Sequence, residues 1–458
     1  MVSAGYRSKN TKGNVMTRIF RRLNDQQLSL ARVIMASFAG STIEWYDFGL
    51  FSASSALVFN RIFFANLSPL IGLLLSLLTF AIGYIARPVG GIVFGHFGDR
   101  IGRKPVLIVS FMMMGIATVL IGCLPGYGTI GVFAPIALIM LRVVQGIGVG
   151  GEYGGAALLV TESCPPNRRG LFSSAAMIGN AAGGILGTGV FSLFAMLPRE
   201  QFLEWGWRVP YLLSVILLFI GLWLRMQVDE TSAFKQIARV NRVLRLPLAQ
   251  VLRFDLKRVL LVCGARSGET MQYTVISVFS LSYATKFLGV HPSLYLSALS
   301  FSGLVQIFVM PFAGAMSDRF GRRSIGILAG VATVLCGSAF IPLMTAGSNV
   351  LVVIAVVSMI GVSAGIGNSL PSAYFPELFD VRVRYTAISV GYQLGTVFGG
   401  LTPAFCTVLF MYLGINAILA YLAGSGLLVL ICYLLLPETL DTRNPASSSI
   451  PIANMGDE

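Results

Sequence analysis

Charged side chains are scarce in this sequence. Asp, Glu, Lys and Arg make up 11% of its 458 residues, whereas soluble domains carry about 25%. Hydrophobic residues make up 55%, and the alternating pattern of an outer-membrane barrel is missing. The shortage of charge excludes a water-soluble globular protein, and the missing alternation argues against a barrel.

Groups for metal binding and covalent catalysis are also few. The chain has two histidines and six scattered cysteines, without the CxxC or His–Cys spacing of zinc sites. It also lacks a phosphate-binding loop and a nucleophile–base constellation. We therefore expect no metal, no cofactor and no enzymatic activity.

Long apolar runs dominate the chain instead, for example at residues 68–94, 105–124 and 349–375. About 20 apolar residues cross the hydrocarbon core of a bilayer, and lipid satisfies no backbone hydrogen bonds, so each run is predicted to be a helix. Twelve spans are predicted, near residues 30–58, 67–95, 105–125, 131–160, 168–197, 206–227, 257–286, 293–316, 324–346, 349–375, 382–412 and 414–436.

The predicted fold is an all-α integral membrane protein with twelve transmembrane helices in two pseudo-symmetric six-helix bundles. The bundles are predicted at residues 29–228 and 257–437. A cytoplasmic linker, 229–256, joins them, and cytoplasmic tails cover 1–28 and 438–458.

The net charge of +14 is distributed unevenly. Basic residues precede the first span and cluster at 100–104, 168–169, 225–258 and 319–323. The alternate connections, such as 124–133, carry none. This alternation follows the positive-inside rule. It predicts a multi-pass inner-membrane protein with both termini in the cytoplasm, and it argues against nucleic-acid binding.

The two halves repeat each other. Residues 95–104 read Gly-His-Phe-Gly-Asp-Arg-Ile-Gly-Arg-Lys, and 314–323 read Gly-Ala-Met-Ser-Asp-Arg-Phe-Gly-Arg-Arg. A Glu seven residues before an Arg recurs at Glu162 and at Glu377, and Glu-Thr recurs at 230–231 and 438–439. Repeated halves are typical of secondary transporters.

The repeated residues are predicted to form a cytoplasmic gate. Gly102 and Gly321 permit a tight turn between helices. Asp99 and Asp318 are expected at helix ends, where they can pair with arginines of neighbouring spans and hold the two halves together. The alternative is that these charges only set topology. The predicted gate residues are Asp99, Arg100, Arg103, Arg169, Asp318, Arg319, Arg322 and Arg384.

The doubled motif resembles that of the major facilitator superfamily, and further runs resemble its metabolite:proton symporter branch. Those runs are residues 42–48, 87–91, 142–146, 150–154 and 205–210. The resemblance extends from about residue 29 to 440. It implies a proton symporter that works by alternating access, in a branch that includes transporters of shikimate, 2-oxoglutarate, citrate, proline and betaine.

Acidic residues inside spans are candidates for proton coupling, because buried ionisable groups are costly in a membrane. Glu44 and Asp47 lie three residues apart on the first span and so near one helix face. Two neighbouring carboxylates in a poorly solvated cavity favour binding of a proton. Glu152 on the fourth span is a further candidate. The alternative for Glu44 and Asp47 is a structural salt bridge with an arginine of another span.

Polar residues inside spans are candidates for substrate binding. Arg87 lies twelve residues before Asp99, about 18 Å along the helix, and offers a fork that fits a carboxylate. For Arg87, the alternative is permanent pairing with Glu44 or Asp47. For Arg266, the alternative is an ordinary structural ion pair with Glu269. The remaining candidates are Tyr46, Arg142, Gln145, Arg266, Glu269, Gln272, Tyr273, Asn368, Tyr392 and Gln393.

The balance of these buried charges predicts the substrate class. The candidate residues inside the spans include three arginines and four acids. Protonation of one or two of these acids would make the charge of the cavity neutral or positive. We therefore expect a monomeric protein that carries a small organic acid together with protons, with the lipid bilayer as its surroundings. A zwitterionic osmolyte such as proline or betaine, a proton-driven efflux pump and a nutrient sensor remain alternatives.

Overall fold

A computed structural model describes residues 25–230, 234 and 247–440. These residues contain helices and no strand. In the first half, α1 to α6 are Asp25–Leu57, Pro69–Ile101, Arg103–Cys123, Phe133–Ser163, Arg169–Ala195 and Arg208–Met226. The short helix Arg199–Gln201 and the π-helical turn Phe202–Gly206 lead into α6.

The second half has the same order. α7 comprises Leu256–Thr274, the π-helical turn Val275–Phe279 and Ser280–Phe287. α8 is Pro292–Phe320, α9 is Arg322–Thr345, α11 is Arg384–Leu413 and α12 is Ile415–Leu435. Between α9 and α11, α10 is interrupted and comprises Asn349–Val356, the π-helical turn Val357–Ser363, Ala364–Asn368 and Pro371–Glu377.

Within each half, the helices pack against each other in equivalent pairs. α1 packs on α5, α2 on α4 and α3 on α6, and the same pairs recur as α7 with α11, α8 with α10 and α9 with α12. The halves meet where α2 contacts α11 and where α5 contacts α8. The predicted all-α fold of two related six-helix bundles is therefore confirmed.

Small residues allow the helices to approach closely, as in other membrane bundles. A side chain at Gly150 would meet the backbone of Arg87 and Gly90 on α2. Between the halves, Gly170 on α5 faces the backbone of Gly314 on α8. The glycines of the fourth span thus serve helix packing.

Ten helices in the described part of the chain are long and apolar enough to cross a membrane. α1 and α7, the first helices of the two halves, are not among them. These two helices carry Glu44 and Asp47, and Arg266 and Glu269, respectively. Charge inside a span must face protein or a cavity, so the composition of α1 and α7 marks the helices that line the centre.

The predicted limits of the bundles remain predictions. α1 begins at Asp25, inside the predicted tail 1–28, and the helical turns Pro247–Gln250 and Val251–Asp255 fall inside the predicted linker 229–256. Most of both tails and most of the linker lie outside the described residues.

Candidate transport site and gate

The repeated aspartates bind helix N-termini of the opposite half. Asp99 accepts hydrogen bonds from the backbone N–H groups of Tyr385 (3.2 Å) and Thr386 (2.9 Å), and from the Thr386 hydroxyl (2.9 Å). Asp318 accepts from the backbone N–H groups of Gly170 (2.8 Å) and Leu171 (2.9 Å). Helix N-termini have free N–H groups and a partial positive charge, so each aspartate fastens α11 or α5 to the other half.

The expected partners of these aspartates therefore need correction: across the interface they bind backbone N–H groups and not Arg169 or Arg384, and their ion pairs are formed within their own half. The arginines pair with glutamates instead: Arg169 with Glu377 (3.8 Å) and Arg384 with Glu162 (3.5 Å). Each of these two ion pairs also joins the halves. A free N–H group at a helix end is invisible in a residue pattern, which explains the difference.

The other four predicted gate arginines divide into two kinds. Arg103 is buried between Asp99 (3.7 Å) and Glu162 (3.6 Å), and Arg322 is buried beside Asp318 (2.8 Å). Arg100 and Arg319 are exposed and make no ion pair in the described part of the chain. The two buried arginines thus hold the gate aspartates in place, whereas the two exposed arginines lie at the surface.

The repeated glutamates Glu230 and Glu438 bind backbone at the same end of the molecule. Glu230 accepts a hydrogen bond from the backbone N–H of Lys104 (3.0 Å), and Glu438 accepts from those of Arg322 (2.8 Å) and Arg323 (3.0 Å). The turns before α3 and α9 need glycine, since Gly102 has φ 113° and Gly321 has φ 100°.

We call this end of the molecule, with Asp99, Asp318 and the first turns of α5 and α11, the motif face. Within the described residues, every hydrogen bond and ion pair between the halves lies between this face and the middle of the bundle. The structure is therefore closed at the motif face.

Two cavities lie between the halves. The distal cavity is lined by Phe48, Tyr84, Tyr273, Thr274, Ile276 and Met359, among others. The proximal cavity is nearer the motif face and is lined by Ser37, Ser41, Tyr153, Asn180, Ser372 and Tyr392, among others. Trp45, Arg87 and Arg266 line both cavities and so mark their junction.

Arg87 is buried at this junction with an incomplete set of partners. Its guanidinium lies 3.7 Å from a Glu44 carboxylate oxygen and 4.3 Å from the centre of the Tyr84 ring. It makes no hydrogen bond within the described residues, and it is 9% exposed. Buried polar groups are normally hydrogen-bonded, so the donors of Arg87 are available to a bound molecule.

Arg266, from the other half, is held more firmly. It donates to Glu269 (3.2 Å) and to the side-chain oxygen of Asn368 (3.1 Å), and it stacks 4.4 Å above the Tyr392 ring. Tyr433 donates to the other Glu269 oxygen (3.1 Å). The structural Arg266–Glu269 ion pair is present, and both residues also line the distal cavity.

Asp47 belongs to a separate network. It accepts a hydrogen bond from Thr118 (2.9 Å) and lies 3.7 Å from Arg142. Arg142 donates to Gln145, which in turn donates to Thr118 (2.9 Å). Asp47, Arg142 and Gln145 line neither cavity, so the structure separates them from Glu44 and Arg87.

Glu152 has a partner that the sequence analysis missed. Arg225, at the end of α6, donates through two nitrogens to both carboxylate oxygens of Glu152 and also to the backbone of Leu107 (2.9 Å). Arg225 was counted among the basic residues beside the linker, yet it is buried. Its place inside a predicted span, 206–227, was the signal that distinguished it.

Three further predicted substrate residues are occupied elsewhere. Tyr46 donates to the Pro210 carbonyl (2.8 Å) and lines neither cavity, because it points about 100° around α1 from Trp45. Gln393 donates to the α4 backbone across the interface. Gln272 reaches the distal cavity, but its amide donates to Leu422 and Ser425. The prediction that Tyr46 binds substrate is thus not supported by its position.

The remaining predicted residues lie at the cavities. Tyr273 and Asn368 line the distal cavity, and the Tyr273 ring meets Trp45 edge-on at 5.4 Å. Tyr392 lines the proximal cavity and stacks on Tyr153.

Comparison with known proteins identifies the family. The sequence profile of the Major Facilitator Superfamily matches residues 33–388 and 260–453. The shikimate transporter of Escherichia coli (strain K12) is 37% identical over 92% of this chain and 99% of that protein. The inner membrane metabolite transport protein YhjE of the same strain is 38% identical, covering 89% and 94%.

More distant relatives agree. The proline/betaine transporter of Salmonella typhimurium (strain LT2) is 33% identical over 82% of this chain and 76% of that protein. Among solved structures, the proton:xylose symporter XylE bound to 6-bromo-6-deoxy-D-glucose shares the fold, with a TM-score of 0.70 at 18% identity over 90% of this chain and 97% of that chain. These relatives are transporters rather than enzymes. The chain therefore belongs to the major facilitator superfamily and is a multi-pass membrane transporter.

Proposed function

We propose that this transporter imports a small carboxylate together with a proton by alternating access. The observation that carries the proposal is Arg87, a buried guanidinium that makes no hydrogen bond in the described structure and lines both cavities. Guanidinium groups bind carboxylates through two parallel hydrogen bonds. Arg266 supplies a second positive charge from the other half, so an anion at the junction contacts both.

The proton has a defined task in this scheme. Glu44 is the acid beside Arg87, at 3.7 Å. While Glu44 is charged, it competes with a substrate carboxylate for the guanidinium. A proton on Glu44 removes that competition, so proton and substrate bind together. Asp47 and Glu152 are weaker candidates for coupling, because Arg142 and Arg225 already occupy them.

Release requires the motif face to open. The bonds of Asp99 and Asp318 to α11 and α5 would break, and the halves would rotate about the central site. We assign the motif face to the cytoplasm because the basic connections lie there, and the chain to an inner membrane, as the name of the relative YhjE indicates. We further propose that it acts as a monomer and needs no cofactor beyond the coupling proton.

The distal cavity favours a hydroxylated acid. Five serine and threonine side chains line it: Thr270, Thr274, Thr333, Ser363 and Thr396. Thr270, Thr274 and Thr396 donate to nearby main-chain oxygens, which leaves their lone pairs to accept hydrogen bonds from a ligand. A hydroxylated carboxylate such as shikimate meets both the arginines and these acceptors.

A zwitterion is the second candidate, and the aromatic wall favours it. The rings of Trp45, Tyr84 and Tyr273 line the distal cavity together. Aromatic faces attract quaternary ammonium groups, while the arginines would hold the carboxylate of a betaine or proline.

Uptake into proteoliposomes tests the proposal. The purified chain is reconstituted, and an inwardly directed proton gradient is imposed by making the outside acidic. Accumulation of labelled shikimate, 2-oxoglutarate, citrate, proline and betaine is then followed with and without an uncoupler. Uncoupler-sensitive accumulation of a carboxylate supports the proposal. Accumulation of betaine or proline alone selects the second candidate. Expulsion of solute, or binding without flux, contradicts import.

A further inference from the structure

We propose that the proximal cavity is a second substrate subsite, which takes the hydroxyl-bearing end of the substrate while Arg87 and Arg266 keep its carboxylate. This inference rests on the proposed function and extends it to the path of release. Both arginines line both cavities, so one end of a small molecule can remain at the junction while the other end moves from the distal to the proximal side.

Unused polar atoms in the proximal cavity point to a ligand. The side-chain oxygen of Asn180 is buried and has no hydrogen-bond partner in the described structure. The hydroxyls of Tyr153 and Ser372 lie beside each other, and neither has a further partner in that part of the chain. Buried polar atoms rarely lack a hydrogen-bond partner. An amide oxygen without a partner and a hydroxyl pair with spare hydrogen-bonding capacity, all on residues that line one cavity, indicate that a polar molecule completes their hydrogen bonds.

The charges around the cavity restrict what that molecule presents. Glu44 and Glu152 line it, and Glu152 is saturated by Arg225. Beyond the junction, the cavity therefore offers no free positive charge among the described residues. The Asn180 amide and the Tyr153 and Ser372 hydroxyls can each accept and donate hydrogen bonds. With acidic Glu44 on the wall and no free positive charge among the described residues beyond the junction, the subsite thus suits a neutral hydroxyl and disfavours a second carboxylate.

The construction of the subsite links it to the gate. Tyr153 and Asn180 belong to the first half, and Ser372 belongs to the second, directly after the interruption of α10. The Ser372 carbonyl also accepts a hydrogen bond from Thr161 of the first half (2.5 Å). Separation of the halves at the motif face would withdraw Ser372 from Tyr153 and dismantle the subsite, which releases the hydroxylated end.

The test compares two acids in the reconstituted full chain. One is shikimate, and the other is cyclohex-1-enecarboxylate, which keeps the ring and the carboxylate but lacks hydroxyls. The variants Tyr153→Phe, Asn180→Ala and Ser372→Ala each remove one polar group. We expect each to raise the half-saturation concentration for shikimate about fivefold to tenfold, the value of one hydrogen bond, and to change that for cyclohex-1-enecarboxylate less than about twofold.

Ser55→Ala is the matched control, because Ser55 has a buried hydroxyl without a partner in the described residues but lines neither cavity. It should leave both acids unchanged. If the three variants affect both acids equally, or neither, the subsite is wrong while carboxylate import stands. If the unaltered protein carries neither acid nor any other carboxylate, both proposals fall. Binding measured by calorimetry in detergent separates a loss of affinity from a loss of folded protein.

Discussion

The two halves of the molecule agree at the motif face and differ in the middle of the membrane. At the motif face, each half supplies one aspartate to a helix N-terminus of the other, at Asp99 and at Asp318. In the middle, the first half holds three Arg–carboxylate pairs and the second half holds one. Symmetry is thus kept where the halves open and close, and lost where a solute would bind.

The charged residues therefore divide into two sets with different roles. A rocking movement of two related halves needs equivalent contacts on both sides, and the repeated residues provide them. A single asymmetric solute and a proton need a single site, and Arg87 and Glu44 have no counterpart pair in the second half. We therefore expect substitutions in the unrepeated set to change affinity and coupling, and substitutions in the repeated set to change the balance of conformations.

The largest effect is expected at Arg87. Lysine keeps the charge but loses the two-pronged geometry, and loss of one charge-assisted hydrogen bond costs about 1.5–3 kcal/mol. Arg87→Lys should therefore raise the half-saturation concentration for a carboxylate about 10- to 100-fold in proteoliposome uptake. Arg142→Lys, at a buried arginine that lines neither cavity, should change it far less. An equal rise in both variants would remove Arg87 from the site.

A smaller, matched effect is expected from the two aspartates of the gate. Asp99→Asn and Asp318→Asn each weaken charge-assisted bonds to a helix N-terminus, so each should increase opening of the motif face about tenfold. Cys164, buried beyond the end of α4, reports this opening. Burial raises the pKa of the Cys164 thiol to about 12, and maleimide reacts with the thiolate.

The readout is the rate of maleimide labelling of Cys164. The other cysteines are first replaced by serine or alanine: Cys123, Cys263, Cys336, Cys406 and Cys432. Similar acceleration in both aspartate variants would confirm that the repeat is a symmetric gate. Acceleration in only one of them would show that the two aspartates are not equivalent and that the gate is not symmetric.

The smallest effect is expected at the exposed arginines of the same motif. Arg100 and Arg319 make no contact between the halves in the described structure, so alanine at either position should change the uptake rate less than about twofold once the amount of inserted protein is matched. Arg103→Ala, at a buried arginine between two acids, is the comparison variant and should slow uptake more. Loss of transport in Arg100→Ala or Arg319→Ala would return these residues to the gate.

Much of the architecture was accessible from the sequence, for identifiable reasons. Apolar runs predict spans because lipid forces the backbone into helices, and the duplicated Asp99 and Asp318 motif predicts related halves. Counting residues along one helix separates Arg87 from Asp99 by about 18 Å, and the structure puts Arg87 at the junction of the two cavities.

Partners and directions were not accessible in the same way. Glu44 and Asp47 are three residues apart, yet Glu44 faces Arg87 and Asp47 faces α3 and α4, because a turn of about 300° leaves two side chains about 60° apart. In the sequence, Arg225 reads as one of the basic residues that set membrane topology, whereas in the structure it is buried and paired with Glu152. Asn180 and Ser372 have no sequence signal at all, since only packing shows that their polar atoms lack partners.

Proton coupling is proposed to depend on Glu44, which belongs to the buried charges of the first half that are not repeated in the second. The direct measurement is acidification inside proteoliposomes loaded with a pH-sensitive dye when shikimate is added outside. We expect acidification for the unaltered protein and for Glu269→Gln, a control at a buried carboxylate that pairs with Arg266 of its own helix. We expect none for Glu44→Gln, which should still exchange labelled for unlabelled shikimate. Acidification by Glu44→Gln at the unaltered rate would show that coupling does not depend on Glu44.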